Sequence, residues 1–120
     1  MDKSVLGRSG LRAAPLALGT VELGMDYGLK VPGSYGRPGV DEAVSLVHAA
    51  LDAGIDFIDT ARTYGESEQV LGRALHDRRH RAVLATKVAV HGPDKKPLEA
   101  GLLKDYMLEQ LDLSLRTLRT

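Results

Sequence analysis

Short apolar runs open the chain and predict strands before any helix. Two of them, around residues 4–6 and 11–13, are separated by a Gly-Arg-Ser-Gly turn, which is typical of a β-hairpin. A third run at residues 16–18 ends in a Gly-Thr pair and predicts the first buried strand. Residues 21–39 are rich in glycine and have no periodicity, so we expect a long loop there.

Beyond this loop, segments with apolar positions three or four residues apart alternate with short apolar runs. The spacing predicts helices over residues 41–52, 67–75 and 102–119. Residues 55–59 and 82–88 are apolar runs of the kind that form buried strands. A strand followed by a helix, three times in succession, predicts an α/β fold with a parallel sheet covered by helices.

Residues at the helix ends and on the helix faces refine this prediction. Gly54 suits the left-handed conformation that ends a helix, and Ser67 is expected to cap the start of the next one. The inward stripe of the last helix is predicted to consist of Leu103, Met107, Leu111, Leu115 and Leu118.

Composition narrows the class of protein. The 120 residues are 43% hydrophobic and 27% charged, which suits a single folded domain over residues 1–120. A formal net charge of zero removes the electrostatic argument for nucleic-acid binding, and the absence of cysteine excludes disulfides and thiolate chemistry. Because we find neither an apolar leader nor a run of about 18 apolar residues, we expect a soluble, cytoplasmic protein without membrane contact.

Charged residues follow two of the predicted strands. Side chains alternate along a strand, so Phe57 and Asp59 share one face of theirs, as Ala85 and Lys87 do on the next. Sites in parallel α/β folds lie at the carboxyl ends of the strands. If the two strands are neighbours, Asp59 and Lys87 form an ion pair there, with Tyr64 in the loop at the same end.

Such a trio suits proton donation. A tyrosine has an ordinary pKa of about 10, so it donates a proton at neutral pH only when its phenolate is stabilised. A lysine ammonium about 4 Å away contributes roughly 4 kcal/mol at an effective dielectric constant of 20. With Lys87 oriented by Asp59, Tyr64 would act as a general acid toward a developing alkoxide. The spacing alone leaves a structural interpretation open, in which Asp59 caps a turn, Tyr64 packs on its loop and Lys87 is solvated.

Several segments, in this order and with this spacing, closely resemble the N-terminal part of aldo-keto reductases. The resemblance as a whole extends over nearly the entire chain, so it is far more specific than any single motif. The segments are LGRSGL at 6–11, LALGT at 16–20, DEAV at 41–44, AGIDFIDTA at 53–61, YGESE at 64–68, LGRAL at 71–75 and ATK at 85–87.

The resemblance implies a fold, an activity and roles for the candidate residues. The fold would be the N-terminal part of a (β/α)8 TIM barrel, with a hairpin at residues 1–15 closing its bottom, followed by three βα units. The activity would be the NADPH-dependent reduction of an aldehyde or ketone, or the reverse oxidation of an alcohol, without a metal. Asp59, Tyr64 and Lys87 would take three of the family's four catalytic positions, with Tyr64 as the proton donor.

The resemblance also implies where the cofactor lies and which parts of the family's site have no counterpart here. Gly19, Thr20 and Val21, together with Asp59, would lie near the nicotinamide. A barrel of this type has about 250 residues, and the family's catalytic histidine and phosphate-clamping loops match no part of this sequence. We therefore interpret the chain as a truncated reductase, inactive and prone to self-association by itself. The alternative is a non-catalytic barrel fragment or a reductase-like interaction protein.

Overall fold

Two separate sheets contain the strands of the protein. The computed structural model describes residues 1–32, 35–92 and 96–120. The predicted hairpin is confirmed as an antiparallel pair formed by β1 (Ser4–Val5) and β2 (Arg12–Ala13). The other strands form a parallel sheet and are β3 (Ala17–Gly19), β4 (Phe57–Asp59) and β5 (Val83–Ala85).

Four α-helices connect and cover the strands. They are α1 (Val21–Gly24), α2 (Val40–Asp52), α3 (Ser67–Ala74) and α4 (Ala100–Leu118), with a 3-10 turn at Arg79–Arg81 before β5. The last three confirm the predicted helices to within two residues at each end. The predicted order of a hairpin and three strand–helix units is therefore confirmed.

The parallel sheet has the order β3-β4-β5, with β4 in the centre. Its register aligns Gly19 with Asp59 and Asp59 with Ala85, so the carboxyl ends of all three strands lie side by side. Ile58 is fully buried beneath the helices, whereas Phe57 and Asp59 point to the other face and are partly exposed. The sheet thus presents the end of β4, with Asp59, on its open face.

The core lies between the parallel sheet and the helices. Helix α2 contributes Ala43, Val47 and Leu51, which recur every four residues and confirm its predicted apolar stripe. Among the described residues, the buried cluster between the sheet and the helices consists of Leu23, Ala43, Val47, Leu51, Ile58, Val70, Leu71, Ala74, Leu75, Ala82 and Leu118. One face of the sheet is therefore fixed by packing, and the other is left for a site.

Two local predictions have different outcomes. Gly54 has φ +85°, which confirms the left-handed turn after α2. Ser67 is not the N-cap of α3 but its first residue, and its hydroxyl instead donates to the Thr20 hydroxyl at 2.7 Å. The capping prediction is wrong because a buried partner 47 positions away in sequence takes the hydroxyl that a cap would use.

The segment predicted as a loop at residues 21–39 begins with a helix. The four residues of α1 are too few for an apolar period to be recognised in the sequence. Helix α1 is fixed instead by the buried Leu23 and by close packing of Gly24. Of this predicted loop, residues 33 and 34 lie outside the described residues, as do residues 93–95 of the polar stretch before α4.

The predicted stripe of α4 is mostly exposed. Leu118 is buried, but Met107, Leu111 and Leu115 are each between 41% and 43% exposed. The helix packs on α3 through its C-terminal end, where Gly72 lets the backbone of α4 approach closely. The spacing of apolar residues identified the apolar face of α4, but it could not show that other elements cover little of that face.

Within the described ranges, none of the helices combines the length and apolar character of a membrane span.

The hairpin is held to the amino end of β4 by Asp56. This residue is 5% exposed, and its carboxylate accepts the Ala14 N–H at 2.7 Å and the Lys3 ammonium at 2.6 Å. Burial raises the pKa of Asp56, but the two donors outweigh burial and hold the pKa below its ordinary value. The hairpin is therefore fastened to the end of the sheet opposite the strand carboxyl ends.

Replacing Asp56 by alanine is expected to loosen the hairpin. The Ala14 N–H would be buried without a partner, which costs about 1–3 kcal/mol. That corresponds to about 5- to 150-fold faster hydrogen exchange of hairpin amides, measurable by mass spectrometry. Because the pKa of Asp56 is lowered in the folded protein, the stabilisation that its carboxylate gives is fully present above pH 3.8, the ordinary pKa of aspartate. It is lost as the pH falls through the lowered pKa.

Lys3→Met is the matched control, because it removes only the half-exposed ion pair and leaves the Ala14 hydrogen bond. It is expected to change exchange by a smaller factor, because Lys3 is half-exposed and water can take the place of its ammonium. Equal effects of the two variants would contradict the assignment of the fastening to the buried hydrogen bond.

Candidate active site

Three predicted site residues meet at the carboxyl edge of the parallel sheet. Asp59 ends β4, Lys87 lies two residues beyond β5, and Tyr64 lies in the turn between β4 and α3. The Lys87 Nζ lies 2.6 and 2.7 Å from the two carboxylate oxygens of Asp59 and 2.9 Å from the Thr60 carbonyl. The same ammonium lies 5.1 Å from the centre of the Tyr64 ring. Asp59 and Lys87 thus meet as the strand parity predicts, and the loop after β4 brings Tyr64 beside them.

The charge of Lys87 is stabilised by its surroundings. Partial burial lowers the pKa of Lys87, but the hydrogen bonds and charge of Asp59, together with the Tyr64 hydroxyl, outweigh burial and raise it above its ordinary value. The Lys87 side chain is 50% exposed and that of Asp59 39% exposed, so the pair faces open solvent. At neutral pH Lys87 is therefore a cation, held by Asp59 beside the Tyr64 ring.

Replacing Asp59 by asparagine is expected to lower the pKa of Lys87. The carboxylate of Asp59, by its hydrogen bonds and negative charge, is the main group that raises this pKa, and without it the opposing effect of burial would dominate. The pH dependence of Lys87 acetylation by acetic anhydride, read by mass spectrometry, measures the shift. Because the pKa of Lys87 is raised in the folded protein, its pairing with Asp59 stabilises the fold fully below pH 10.5, the ordinary pKa of lysine. This stabilisation is lost as the pH rises through the raised pKa.

Asp105→Asn, on the exposed surface of α4, is the control and should leave the Lys87 profile unchanged. A Lys87 profile that is the same in wild type and Asp59→Asn would show that another group holds the ammonium.

Backbone hydrogen bonds set the spacing between the β4 loop and β5. The Thr60 N–H donates to the Ala85 carbonyl at 2.9 Å, and the Arg62 N–H donates to the Lys87 carbonyl at 3.1 Å. These bonds continue the ladder of β4 and β5 past the ends of the strands. The loop that leads to Tyr64 is therefore aligned with the segment that carries Lys87.

The turn that carries Tyr64 packs directly on α1. Gly65 has φ +56°, a conformation that favours glycine, and the Glu66 N–H donates to the Gly24 carbonyl at 3.0 Å. A Cβ on Gly24 would overlap the Tyr64 carbonyl oxygen and the Ser67 amide nitrogen. Glycine at both positions lets the two backbones meet, and this contact fixes the turn.

A buried hydroxyl network supports the end of β4. The Thr20 hydroxyl donates to the Asp59 carbonyl at 2.9 Å and accepts from Ser67 at 2.7 Å, and Thr60 lies 3.0 Å from the Ser67 oxygen. All three hydroxyl residues are fully buried. The Thr20 hydroxyl is therefore engaged inside the protein, beneath Asp59.

Of the predicted cofactor residues, Gly19 borders open space, whereas Thr20 is fully buried and does not reach it. Gly19 pairs with Asp59 across the sheet, and a Cβ on Gly19 would meet nothing within 4 Å. Val21, the first residue of α1, is partly buried. In the part of the chain that the structure describes, we find no group of three or more acidic or histidine side chains arranged around a metal position.

Three residues that the sequence did not single out lie beneath the site. Glu68 is 1% exposed and is bonded by Arg62 and Thr86. One signal was available in the sequence: Glu68, Leu71 and Leu75 share the three-to-four spacing of the inward face of α3. A glutamate on a buried stripe indicates a buried partner, and here it has two.

A parallel sheet whose strands are linked by helices, with polar residues gathered at the strand carboxyl ends, defines an α/β protein. Comparison with known sequences then identifies the family. The profile of the aldo/keto reductase family matches residues 15–120. The chain belongs to this family, and its hairpin and three βα units correspond to the N-terminal part of the family's (β/α)8 barrel.

Among curated relatives, the chain is 38% identical to a 6-dehydroglucose reductase from Novosphingobium aromaticivorans, covering 95% of this chain and 36% of that protein. It is 35% identical to a probable voltage-gated potassium channel subunit beta from rice, Oryza sativa, covering 98% of this chain and 34% of that protein. The chain thus spans about a third of the length of these relatives.

Solved structures show the same fold. A Pseudomonas aeruginosa protein, described as an aldo-keto reductase, superposes with a TM-score of 0.79 at 36% identity, covering 98% of this chain and 43% of that chain. An aldo/keto reductase from Klebsiella pneumoniae, solved with NADP and acetate, has a TM-score of 0.61 at 25% identity, covering 92% and 33%. A nicotinamide cofactor is therefore used within the family.

Proposed function

We propose that this chain contributes the proton-donating residues of an NADPH-dependent carbonyl reductase. The substrate class is an aldehyde or ketone, or the corresponding alcohol in the reverse direction. The observation that carries the proposal is the Asp59–Lys87 ion pair with Tyr64 beside it, at the carboxyl edge of the sheet. Family membership supports the same chemistry, since one relative is named a 6-dehydroglucose reductase and one structural neighbour is an aldo/keto reductase solved with NADP.

Each side chain has a separate task in this proposal. Tyr64 donates its hydroxyl proton to the carbonyl oxygen as that oxygen gains negative charge. Lys87 stabilises the resulting phenolate, because its ammonium already faces the Tyr64 ring. Asp59 holds the ammonium through both carboxylate oxygens and so keeps it from swinging into solvent.

Residues at the end of β3 fit a nicotinamide ring. Gly19 leaves open space beside Asp59, and Val21, two residues later, is a partly buried apolar side chain. When bound, the reduced nicotinamide supplies the hydride that the carbonyl carbon accepts. Thr20 contributes indirectly, since its hydroxyl supports the backbone of Asp59.

A chimera tests the proposal. In it, this chain replaces the matching segment of the Pseudomonas aeruginosa relative, which shares 36% identity over 98% of the chain. NADPH oxidation with a reactive nitrobenzaldehyde is expected above background. Lys87→Met should lower the turnover about 100-fold, the size of a general-acid contribution. Lys104→Met, at an exposed lysine of α4, is the matched control and should leave it unchanged.

A chimera that folds and binds NADPH but does not reduce the aldehyde would contradict the proposal. So would equal turnover in the Lys87→Met and Lys104→Met variants, because the cation would then have no part in proton donation. NADPH binding is followed separately, by the quenching of its fluorescence, so that loss of binding is not mistaken for loss of chemistry.

A polypeptide of residues 1–120 alone is expected to self-associate. Strands β3 and β5 are the edges of the parallel sheet, and edges with free backbone groups pair with other chains. Leu102, Leu108 and Leu111 of α4 are 59%, 54% and 43% exposed. Each large apolar side chain left in water forfeits up to about 1.5–3 kcal/mol.

Size-exclusion chromatography with light scattering measures this association, and a monodisperse monomer with a sharp thermal transition would contradict it. A Leu108→Glu variant is expected to shift the distribution toward smaller species. The same sample should oxidise NADPH only at background rate, because the family's catalytic histidine matches none of the four histidines of this sequence.

An interaction role is the second candidate. The 35% identity to the rice protein named as a potassium channel subunit beta favours it, because that name describes a subunit rather than an enzyme. The exposed apolar face of α4 would suit a protein partner. The chimera separates the two candidates, since an interaction protein need not turn over NADPH when Asp59, Tyr64 and Lys87 are all present.

A further inference from the structure

The start of α3 contains a buried carboxylate that the proposed chemistry does not use. Glu68 is 1% exposed, although it lies in the first turn of an otherwise amphipathic helix. Its Oε1 accepts the Thr86 hydroxyl at 2.8 Å, and its Oε2 accepts the Arg62 guanidinium at 2.5 Å. A buried charge is unfavourable unless it is paired and hydrogen-bonded, so these two donors explain why a glutamate is tolerated here.

The two donors belong to the two segments that carry the proton-donating pair. Thr86 immediately precedes Lys87, and Arg62 lies two residues before Tyr64 in the β4 loop. The Arg62 N–H also donates to the Lys87 carbonyl at 3.1 Å. One carboxylate is therefore bonded to both segments from below, while Asp59 holds the Lys87 ammonium from the open face.

The Arg62 side chain depends on Glu68 for its position. Its Nη1 is bonded to Glu68, whereas its Nε is buried without a hydrogen-bond partner in the described structure. The Arg62 side chain is 26% exposed, so without the carboxylate the guanidinium would lose its ion pair and would turn toward solvent. The loop backbone at Arg62, two residues from Tyr64, would move with it.

We propose that Glu68 is a positioning residue, which sets the distance between the Lys87 ammonium and the Tyr64 hydroxyl by fixing Thr86 and Arg62 together. The inference rests on the proposed function of that pair. Its energetic basis is the steep dependence of such sites on geometry, where a misplacement of about 1 Å lowers turnover by about 100-fold. Glu68 itself touches neither substrate nor cofactor in this account.

The test compares Glu68→Gln with a variant that weakens α3 without touching these contacts. Glutamine has a single oxygen, so either Thr86 or Arg62 faces an amide N–H₂ in place of an acceptor, and in both orientations the ion pair is lost. Val70→Ala is the matched control, since Val70 is 3% exposed on the same helix and belongs to the hydrophobic core cluster. Glu68→Asp keeps the charge and is the conservative rescue variant.

In the chimera, Glu68→Gln is expected to lower kcat about 10- to 100-fold with NADPH affinity unchanged, and Glu68→Asp to restore part of kcat. Val70→Ala should lower the melting temperature while leaving kcat within about twofold of wild type. The acetylation profile of Lys87 should shift in Glu68→Gln and stay unchanged in Val70→Ala. The inference is overturned if Glu68→Gln behaves as Val70→Ala does, with lower stability but unchanged kcat and Lys87 profile.

Two further measurements separate this inference from the proposed function. If the proposed function fails, Lys87→Met leaves turnover unchanged, yet the Lys87 acetylation profile still reports whether Glu68 positions the ammonium. If Glu68→Gln does not fold, Thr86→Val removes a single hydrogen bond and is expected to shift the same profile in the same direction. An unchanged profile in a folded Thr86→Val variant overturns the inference.

Discussion

Replacing Tyr64 by phenylalanine is expected to lower aldehyde reduction by the chimera at least about 100-fold, and this is the largest expected change in activity. The phenol is the group whose proton would reach the carbonyl oxygen, and general acids contribute about 100- to 10,000-fold. The ring that packs beside the Lys87 ammonium is retained in phenylalanine, so the site keeps its shape. NADPH affinity is expected to stay within about twofold, because the lost atom is a proton donor rather than a phosphate ligand.

Tyr106→Phe is the matched control for this variant. Tyr106 lies on α4, where its hydroxyl donates to the His91 carbonyl at 3.4 Å, away from Asp59 and Lys87. Its loss is expected to leave kcat unchanged. Near-normal turnover in Tyr64→Phe, measured at saturating NADPH, would mean that another group supplies the proton and that Tyr64 has only a packing role.

Much of the architecture could be read from periodicity, because the features concerned are local. Helix α2 shows its buried face in Ala43, Val47 and Leu51, and the apolar run before Asp59 shows a strand. The meeting of Asp59 and Lys87 also followed from the sequence. It needs only that side chains alternate along a strand and that parallel neighbours end at one edge.

The features that the sequence did not reveal depend on partners far away in the chain. Glu68 is buried because Arg62 and Thr86 reach it from two other segments, and no local pattern records both. Ser67 does not cap α3 because Thr20 takes its hydroxyl. The prediction that the apolar stripe of α4 faces inward was mostly wrong for a related reason. The spacing of apolar residues identifies the apolar face of a helix, but not whether another element covers that face.

The close approach of α1 to the Tyr64 turn could not be foreseen either, and it leads to the largest expected change in stability. A methyl group on Gly24 would overlap the Tyr64 carbonyl oxygen and the Ser67 amide nitrogen, and would lie 2.7 Å from the Ser67 Cβ. Two of these three atoms are backbone, so no rotamer change relieves the overlap. The turn and α1 would have to separate, which would also break the hydrogen bond from the Glu66 N–H to the Gly24 carbonyl.

Gly24→Ala is therefore expected to lower the free energy of unfolding of the chimera by at least about 3 kcal/mol, the upper end of the usual effect of overpacking. Because Tyr64 lies in the turn that must move, kcat is expected to fall at the same time by about 10-fold or more. Urea denaturation followed by circular dichroism measures the first effect, and NADPH oxidation below the transition measures the second.

Gly101→Ala is the matched control, since a Cβ there meets nothing within 4 Å and the residue lies inside α4. Alanine in an open helical position is expected to stabilise the fold by up to about 1 kcal/mol and to leave turnover unchanged. If Gly24→Ala instead matched Gly101→Ala in both measurements, the Tyr64 turn would have to tolerate separation from α1. The packing of the two glycine-containing segments would then have no part in placing the proton donor.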